Sequence, residues 1–295
     1  MWHGKPPFAI VAVLAVVTTS TASASEMGAR SMARGGVGLA DSGDAAGEER
    51  NLAAVSLDPR YVMFAGAGLG PDGSFLLRGG ALDSRTSIVA LGAGYRRLTD
   101  AVTPTGDELP GWHPAGEEIV DHATWQRVHL GLALPFAERR VSIAALTRFD
   151  WRSSMLSGKS YAFNFGFSAA ARPVEGLTVA LGARDLLGNA YPRIDREADL
   201  AVRYSPGPRF GVEADVTAPI DKDFGVDRFQ WRAGLDGGVA DWLALRGGWS
   251  MEAGTHFASA GIGLVSEQAV LDYGVKVQLD DPARNWHALD LRVNF

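Results

Sequence analysis

Residue types that catalyse reactions are present in this 295-residue chain, but not in the patterns that catalysis requires. Ser250 lies in Gly248-Trp249-Ser250-Met251-Glu252, which lacks the second glycine of a nucleophile elbow. The six histidines show no H-E-x-x-H spacing. The absence of cysteine excludes a thiol nucleophile, a disulfide scaffold and a Cys-ligated zinc site. We therefore expect no enzyme activity, no catalytic residue, no metal and no cofactor.

Three segments resemble ligand sites only in part. Gly35-Gly36-Val37-Gly38 precedes no βαβ unit, which argues against a nucleotide fingerprint. Asp221–Asp227 lacks the complete ligand set and final Glu of a calcium loop, and is interpreted as a turn. The linker 98–124 holds six acidic residues and no Lys or Arg. A solvated acidic loop is favoured there over a site for divalent cations beside lipopolysaccharide phosphates.

The net charge argues against one class of partner, and the first residues indicate that the chain is exported. A net charge of −6 argues against a nucleic-acid partner, which would require a basic face. Lys5, the apolar run Phe8–Val17 and Ala22-Ser23-Ala24 together are typical of a secretory signal peptide covering residues 1–24. The alternative, a membrane anchor, is disfavoured because a spanning helix needs about 20 apolar residues.

From residue 60 onward the dominant pattern is an alternation of apolar and polar side chains. Successive side chains of a strand point to opposite faces, so this period of two predicts strands. It is clearest in 160–169, 270–279 and 285–295. The pattern predicts fourteen strands in all, at 60–69, 74–83, 87–97, 125–136, 141–152, 160–169, 177–185, 198–206, 209–219, 229–239, 242–251, 256–266, 270–279 and 285–295.

The links between the strands distinguish two architectures. The two long links, 98–124 and 186–197, both follow odd-numbered strands, as the outer loops of an outer-membrane barrel would. Aromatic residues at the strand ends fit two interfacial girdles. The outer girdle would contain Tyr95, Phe149, Trp151, Tyr161, Phe229, Trp231 and Trp249, and the inner one Phe136, Tyr204, Phe210 and Phe295. The predicted fold class is therefore all-β, a transmembrane antiparallel β-barrel of about 14 strands; a secreted soluble β-sandwich or propeller is the alternative.

The polar faces of these strands supply the candidate lumen-lining residues, with nine bases facing seven acids. A nearly balanced interior suggests a lumen crossed by ion pairs and occupied by residues 25–58, since buried charges are tolerated when paired. The alternative is that the charges line water. Inward glycines, such as Gly166, Gly182, Gly211 and Gly234, would make room. The charged or titratable candidates are Arg96, Arg127, His129, Arg148, Asp150, Arg184, Asp199, Arg203, Glu213, Asp215, Arg232, Asp236, Arg246, Asp272, Lys276, Asp290 and Arg292.

Both ends of the mature chain resemble one group of bacterial barrels. The final ALDLRVNF resembles the insertion signal of outer-membrane barrels. The stretch Gly28–Asp41 resembles the opening of the superfamily that includes the long-chain fatty-acid transporters and barrels associated with type IX secretion, although Leu52 stands where those have proline. The resemblance implies a fourteen-stranded barrel, 60–295, whose N-terminal segment, 25–59, enters the lumen as a plug. The matching plug residues are Arg30, Arg34, Gly35, Gly36, Asp41 and Asn51.

The resemblance also carries the functional expectation. It implies a monomer in the outer membrane of a Gram-negative bacterium that passes small, apolar molecules, by displacement of the plug or by lateral exit between strands. The alternative is a non-transporting adaptor or anchor for a secreted or surface partner. A hydrolase on the lumen or rim would need a Ser/His or acid pair close in space. The expected partners are outer-membrane lipid and lipopolysaccharide, a small hydrophobic ligand and a surface or secreted protein.

Overall fold

A computed structural model describes residues 28–43, 48–102, 121–154, 158–187, 189–190, 193–194, 196–207, 209–220, 229–252 and 254–295. The predicted leader, the centre of the acidic linker and the whole segment Asp221–Asp227 lie outside these ranges.

Fourteen antiparallel strands close into a barrel, as the alternation predicts. Each strand pairs with its neighbours along the chain, and β1 pairs with β16 to complete the ring. Closure leaves no open edge, which a sheet in lipid requires because lipid offers no hydrogen bonds. The barrel strands are β1 Tyr61–Leu69, β2 Phe75–Asp83, β3 Ala90–Val102, β4 Asp121–Phe136, β5 Val141–Ser154, β6 Gly158–Val174, β7 Leu177–Arg184, β10 Glu197–Gly207, β11 Phe210–Pro219, β12 Gln230–Ala240, β13 Leu243–Glu252, β14 Thr255–Val265, β15 Ala269–Gln278 and β16 Asn285–Asn294.

The two long links differ from the predicted loops. The strands β3 and β4 continue into the linker 98–124 and remain paired out to Val102 and Asp121. The link after β7 contains two short strands, β8 Asn189–Ala190 and β9 Arg193–Ile194, which pair with each other. Alternation could not reveal either extension, because polar residues at strand ends carry no apolar face. A short 3₁₀ helix, Pro71–Gly73, connects β1 and β2.

The barrel wall is apolar outside and polar inside. The outward row of β4, for example, exposes Leu130, Leu132 and Leu134, whereas Arg127 and His129 of the same strand are buried. Two of the largest fully buried side chains are those of Arg34 and Lys276. Soluble proteins show the reverse distribution, because they bury apolar side chains and expose charged ones. This distribution suits a wall that faces lipid.

Aromatic side chains are exposed near both ends of the barrel. We call the end that holds Tyr61 and Phe295 the terminal end and the opposite end the loop end; the backbone amide of Phe295 donates to the Tyr61 carbonyl oxygen. The predicted aromatic residues Tyr95, Phe149, Tyr161, Trp231 and Trp249 near the loop end, and Phe136, Tyr204, Phe210 and Phe295 near the terminal end, are all at least 38% exposed. The predicted outward orientation of these rings is therefore confirmed.

The N-terminal segment forms two short helices against the inner faces of the strands. Helix α1, Ala29–Ala33, contacts β13–β16, and helix α2, Glu48–Val55, contacts β3–β7. Asn51 interrupts α2 with a non-helical backbone, and its side-chain oxygen accepts a hydrogen bond from the Ala54 amide at 3.1 Å. Among the described residues no helix has the length and apolarity to cross a bilayer.

Helix α2 packs against a row of inward-facing alanines. Leu52, Val55 and Leu57 of the N-terminal segment are almost completely buried. They cluster with inward alanines from six consecutive barrel strands, which are small enough to admit a helix. These are Ala90, Ala133, Ala144, Ala170, Ala180 and Ala201.

Candidate functional site

The interior of the barrel is the candidate functional site, and it contains the charged residues predicted from alternation. Fourteen of the predicted residues are at most 8% exposed: Arg96, Arg127, His129, Arg148, Asp150, Asp199, Arg203, Glu213, Asp215, Arg232, Arg246, Asp272, Lys276 and Asp290. Arg184, Asp236 and Arg292 are partly buried. The structure thus places these side chains inside, whereas their roles in function stay predictions.

Arg34, on the turn after α1, is the centre of the first ion cluster. Its guanidinium lies 3.0 Å from Asp41, 3.4 Å from Glu213 and 3.3 Å from Asp236. Arg203 of β10 contacts the Asp236 carboxylate from the other side at 3.0 Å. The N-terminal segment and strands β10–β12 therefore share one network of charges.

Asp41 joins this network from the N-terminal segment. Its carboxylate also lies 3.0 Å from Arg30. Burial by itself would raise the pKa of the Asp41 carboxyl, but the charges of Arg30, Arg34 and Arg203 outweigh burial. The pKa therefore lies well below its ordinary value, and Asp41 stays ionised.

Glu49 is the centre of a second ion cluster, on the opposite side of the barrel. Its carboxylate lies 2.9 Å from Arg127 and 3.3 Å from Arg96. Arg148 donates to the Glu49 backbone carbonyl oxygen at 2.5 Å and pairs with Asp185 at 3.0 Å. Burial would raise the pKa of Glu49, but the surrounding Arg96 and Arg127 charges hold it well below its ordinary value.

Further ion pairs line the inner wall. Two of them join neighbouring strands, whereas the pairs of Arg246 and Lys276 reach across β14 and that of Arg78 reaches across β1. The pairs are Arg184–Asp199 at 2.7 Å, Arg232–Asp215 at 3.4 Å, Arg246–Asp272 at 2.6 Å, Lys276–Glu252 at 2.6 Å and Arg78–Asp290 at 2.5 Å. The expectation of a lumen crossed by ion pairs is therefore realised among the described residues.

Several charged partners were not among the predicted set. Arg78 lies in β2, where glycine and alanine obscure the alternation, and Asp185 lies just beyond the end of β7. Glu49 belongs to the acidic patch of the N-terminal segment. Glu252 ends β13 on the same face as the inward Ser250, so the alternation of β13 could have identified it. The alternation gave no such signal for the other three residues.

Glycines on β12–β15 make room for α1 and the turn that follows it. A Cβ at Gly234 would lie 2.2 Å from the Arg34 carbonyl oxygen, and one at Gly274 would lie 2.4 Å from that of Ala29. Gly248 meets Arg34, and Gly261 meets the Ala33 side chain, at equally short distances. Of the four glycines predicted to make room, only Gly234 does so for this segment. The others lie against wall atoms: Gly166 against Ala183, Gly182 against Asp199 and Gly211 against Arg203.

The remaining residues of the N-terminal motif shape its turn. Gly35 and Gly36 have φ of 74° and 88°, in the left-handed region that favours glycine. A Cβ at Gly35 would lie 2.6 Å from the backbone of Trp249. Arg50 donates to the Gly36 carbonyl oxygen at 2.6 Å, which fixes the turn to α2.

A second apolar part of the interior lies at α1, apart from the alanine row that packs against α2. Met32 of α1 clusters with Phe257 and Trp286, all at most 3% exposed. The Phe257 and Trp286 rings meet edge to face, with centroids 5.7 Å apart. Beside them, a cavity of about 10 Å³ is lined by Met32, Gly68, Leu76, Leu98 and Trp286, among others. We call these residues with Phe257 the Met32 site.

The comparisons with known proteins bear on the fold. No family model and no curated protein sequence matches the chain. Among solved structures, a FadL homologue of Pseudomonas aeruginosa superposes with a TM-score of 0.66 at 11% identity, over 91% of this chain and 98% of the other. The Pseudomonas putida toluene transporter TodX superposes at 0.61 and 10% identity, over 91% and 97%. The chain has the fold of these FadL-type barrels.

A third structure extends the likeness to another such barrel. The CymD monoaromatic hydrocarbon channel superposes with a TM-score of 0.64 at 11% identity, over 90% of this chain and 96% of the other. The predicted likeness to fatty-acid-transporter barrels is thus confirmed at the level of fold. The predicted link to type IX secretion stays a prediction.

Proposed function

We propose that the chain is an outer-membrane channel that takes up small apolar molecules. The observation that carries the proposal is the Met32 site, an apolar surface beside a small cavity inside a barrel whose interior is largely ionic. The fold supports it, because the similar structures are described as a toluene transporter and monoaromatic hydrocarbon channels. An apolar wall with aromatic residues at both ends suits an outer-membrane location.

In this proposal the N-terminal segment acts as a plug. Arg34, Asp41 and Glu49 pair it to the wall, and inward glycines and alanines accommodate it. The cavity at the Met32 site is about 10 Å³, the room of one water molecule. Passage would therefore require the plug to shift or the Met32 side chain to move aside, and we infer that an arriving apolar molecule takes the place of that side chain.

A direct test uses toluene as the probe on the purified full chain. Met32→Ala enlarges an apolar cavity, and such cavities bind small aromatic molecules. We expect Met32→Ala to bind toluene more tightly than the wild type, and Met32→Gln to bind it less. Leu57→Ala is the matched control, since it removes a buried apolar side chain outside this site.

Uptake completes the test. Cells that produce the wild-type chain should accumulate labelled toluene faster than cells without it, and Met32→Gln should remove the difference. If the wild type neither bound toluene nor changed its uptake, or if Met32→Gln bound and took up toluene as the wild type does, the proposed channel would be wrong.

The small size of the cavity favours a second candidate, a non-transporting adaptor that anchors a secreted or surface protein. A filled interior needs no passage, and the rim would then carry the function. Native mass spectrometry of the detergent-extracted barrel separates the two candidates. A protein partner with no small molecule would favour the adaptor, whereas a bound apolar molecule would favour the channel.

A further inference from the structure

The strands β3–β6 rise beyond their neighbours at the loop end. They contain 13, 16, 14 and 17 residues, whereas the other barrel strands contain 8 to 11. The strand β2 ends opposite Thr99, but β3 and β4 stay paired out to Val102. Only the part of β6 from Phe167 onward pairs with β7, so residues 158–166 extend past it. We call these four strands the β3–β6 wall.

The length of these four strands determines which layer of the membrane surrounds their residues at the loop end. A strand needs about 9 to 11 residues to cross the hydrocarbon core of a membrane. The extra residues of the β3–β6 wall therefore stand in the headgroup layer at the loop end. The outward side chains there face lipid headgroups instead of hydrocarbon.

Two exposed cations lie on the outward face of this wall. Arg97 of β3 and Lys159 of β6 are the only Lys or Arg residues that the described barrel strands direct outward at the loop end. In the described part of the chain, neither forms an ion pair with a carboxylate. The outward rows between them hold Thr99, Thr124 and Ser153 and no acidic side chain. The charge of this face is therefore positive although the chain is acidic overall.

A continuous group of aromatic rings lies on the same face. The Tyr95 and Trp151 rings have centroids 6.5 Å apart, and Phe149 lies 5.6 Å from Trp151 and 6.2 Å from Tyr161. The Tyr95 hydroxyl donates to the Gln126 side chain at 2.7 Å. Rings with a polar tip are typical of the membrane interface, where one end contacts acyl chains and the other faces water.

We propose that the outward face of the β3–β6 wall binds lipopolysaccharide, the phosphorylated glycolipid of the outer leaflet. Arg97 and Lys159 bind its phosphates, and Tyr95, Trp151 and Tyr161 pack against the upper part of its acyl chains. Unpaired cations above an aromatic surface complement an anionic headgroup above hydrocarbon. The inference rests on the proposed outer-membrane location and adds to it the contacts that hold one side of the barrel to the outer leaflet.

The test measures binding of rough lipopolysaccharide to the purified full chain in neutral detergent. The double variant Arg97→Gln, Lys159→Gln removes both cations without touching the interior. The matched control, Arg140→Gln, Arg209→Gln, removes two exposed cations near the terminal end. We expect the first double variant to bind about thirtyfold more weakly than the wild type, and the control to bind normally. Added salt should weaken wild-type binding, because the contacts are exposed.

Further measurements identify which chemical group of the lipid the two cations bind. Enzymatic removal of the lipid phosphates should lower wild-type affinity as much as the double variant does, and should change the double variant little. Equal affinity for the dephosphorylated lipid, or an equal loss in the control variant, would overturn the proposal. Tyr161→Leu keeps the apolar surface and should cost far less than the two cations.

The two proposals fail in different ways. Lipopolysaccharide binding is measured without toluene, and toluene binding is measured without lipopolysaccharide. If toluene binds but the lipid binds equally to all variants, only the present inference is wrong. If the chain stays soluble without detergent and binds neither, the outer-membrane location itself is wrong.

Discussion

Arg34 and Glu213 lie 3.4 Å apart, and both side chains are fully buried, although 179 residues separate them along the chain. Arg34 belongs to the N-terminal segment and Glu213 to strand β11. Their contact ties the segment to the wall in a region from which water is excluded. Such a pair contributes little net stability, because both charges lose their hydration when they are buried, but removal of one partner leaves an uncompensated buried charge.

Removing Arg34 should release the N-terminal segment. Arg34→Met leaves the buried Glu213 without its main partner and Asp41 without one of its three. Breaking a buried pair costs about 3–5 kcal/mol. Hydrogen exchange of residues 28–58 should then be much faster than in the wild type. Arg209→Gln, which breaks the exposed pair with Asp241, should change stability by about 1 kcal/mol or less. Slow exchange in Arg34→Met would contradict this reading of the cluster.

A larger side chain at Gly248 should open the lumen. A Cβ there would lie 2.1 Å from the Arg34 backbone, so Gly248→Leu must displace the turn after α1. In a planar bilayer we expect low ion conductance from the wild type and higher conductance from Gly248→Leu. Gly237→Leu is the control, since a Cβ at Gly237 meets nothing within 4 Å. A large, stable conductance of the wild type would show that the N-terminal segment does not block the barrel.

Acid should loosen the segment through Asp41 and Glu49. Their pKa values are lowered well below the ordinary 3.8 and 4.5, so their ionised forms stabilise the docked segment above those ordinary values. This contribution is lost as the pH falls through the lowered pKa values. The protection of residues 28–58, which is the exchange rate relative to the intrinsic rate at each pH, should therefore stay constant between about pH 7 and pH 5 and fall below about pH 4. Asp41→Asn should weaken docking at neutral pH and flatten the acid dependence; an unchanged profile would refute the role of Asp41.

The last residue should contribute to closure of the barrel. The Phe295 and Tyr61 rings lie 5.3 Å apart where β16 meets β1, and such aromatic contacts contribute about 0.5–1.5 kcal/mol. Phe295→Ala should lower the temperature at which the folded barrel loses its heat-modifiable mobility on gels. Phe136→Ala removes a comparably exposed ring from the same end but away from this seam, and should lower it less. Equal shifts would assign the effect to lipid contact alone.

The positions of the fourteen strands and the inward side chains followed from the sequence. A strand between lipid and a polar interior must alternate apolar and polar side chains. The position of Arg127 or Asp150 in that alternation therefore predicts that its side chain points inward. The rule failed where polarity does not alternate. It missed the continuation of β3 to Val102, and it left Arg78 unassigned among the glycines of β2.

The sequence by itself determined a barrel of fourteen strands, its apolar outer face and the charged residues that point inward, because all of these depend on a repeat of two residues. Only the tertiary structure decided which charges meet, such as Arg34 with Glu213 and Glu49 with Arg127. It also decided which glycines lie against the N-terminal segment and that Met32 packs against Trp286. Those contacts depend on how the barrel closes and how the segment turns inside it, and the spacing of residues along one strand carries no information about either.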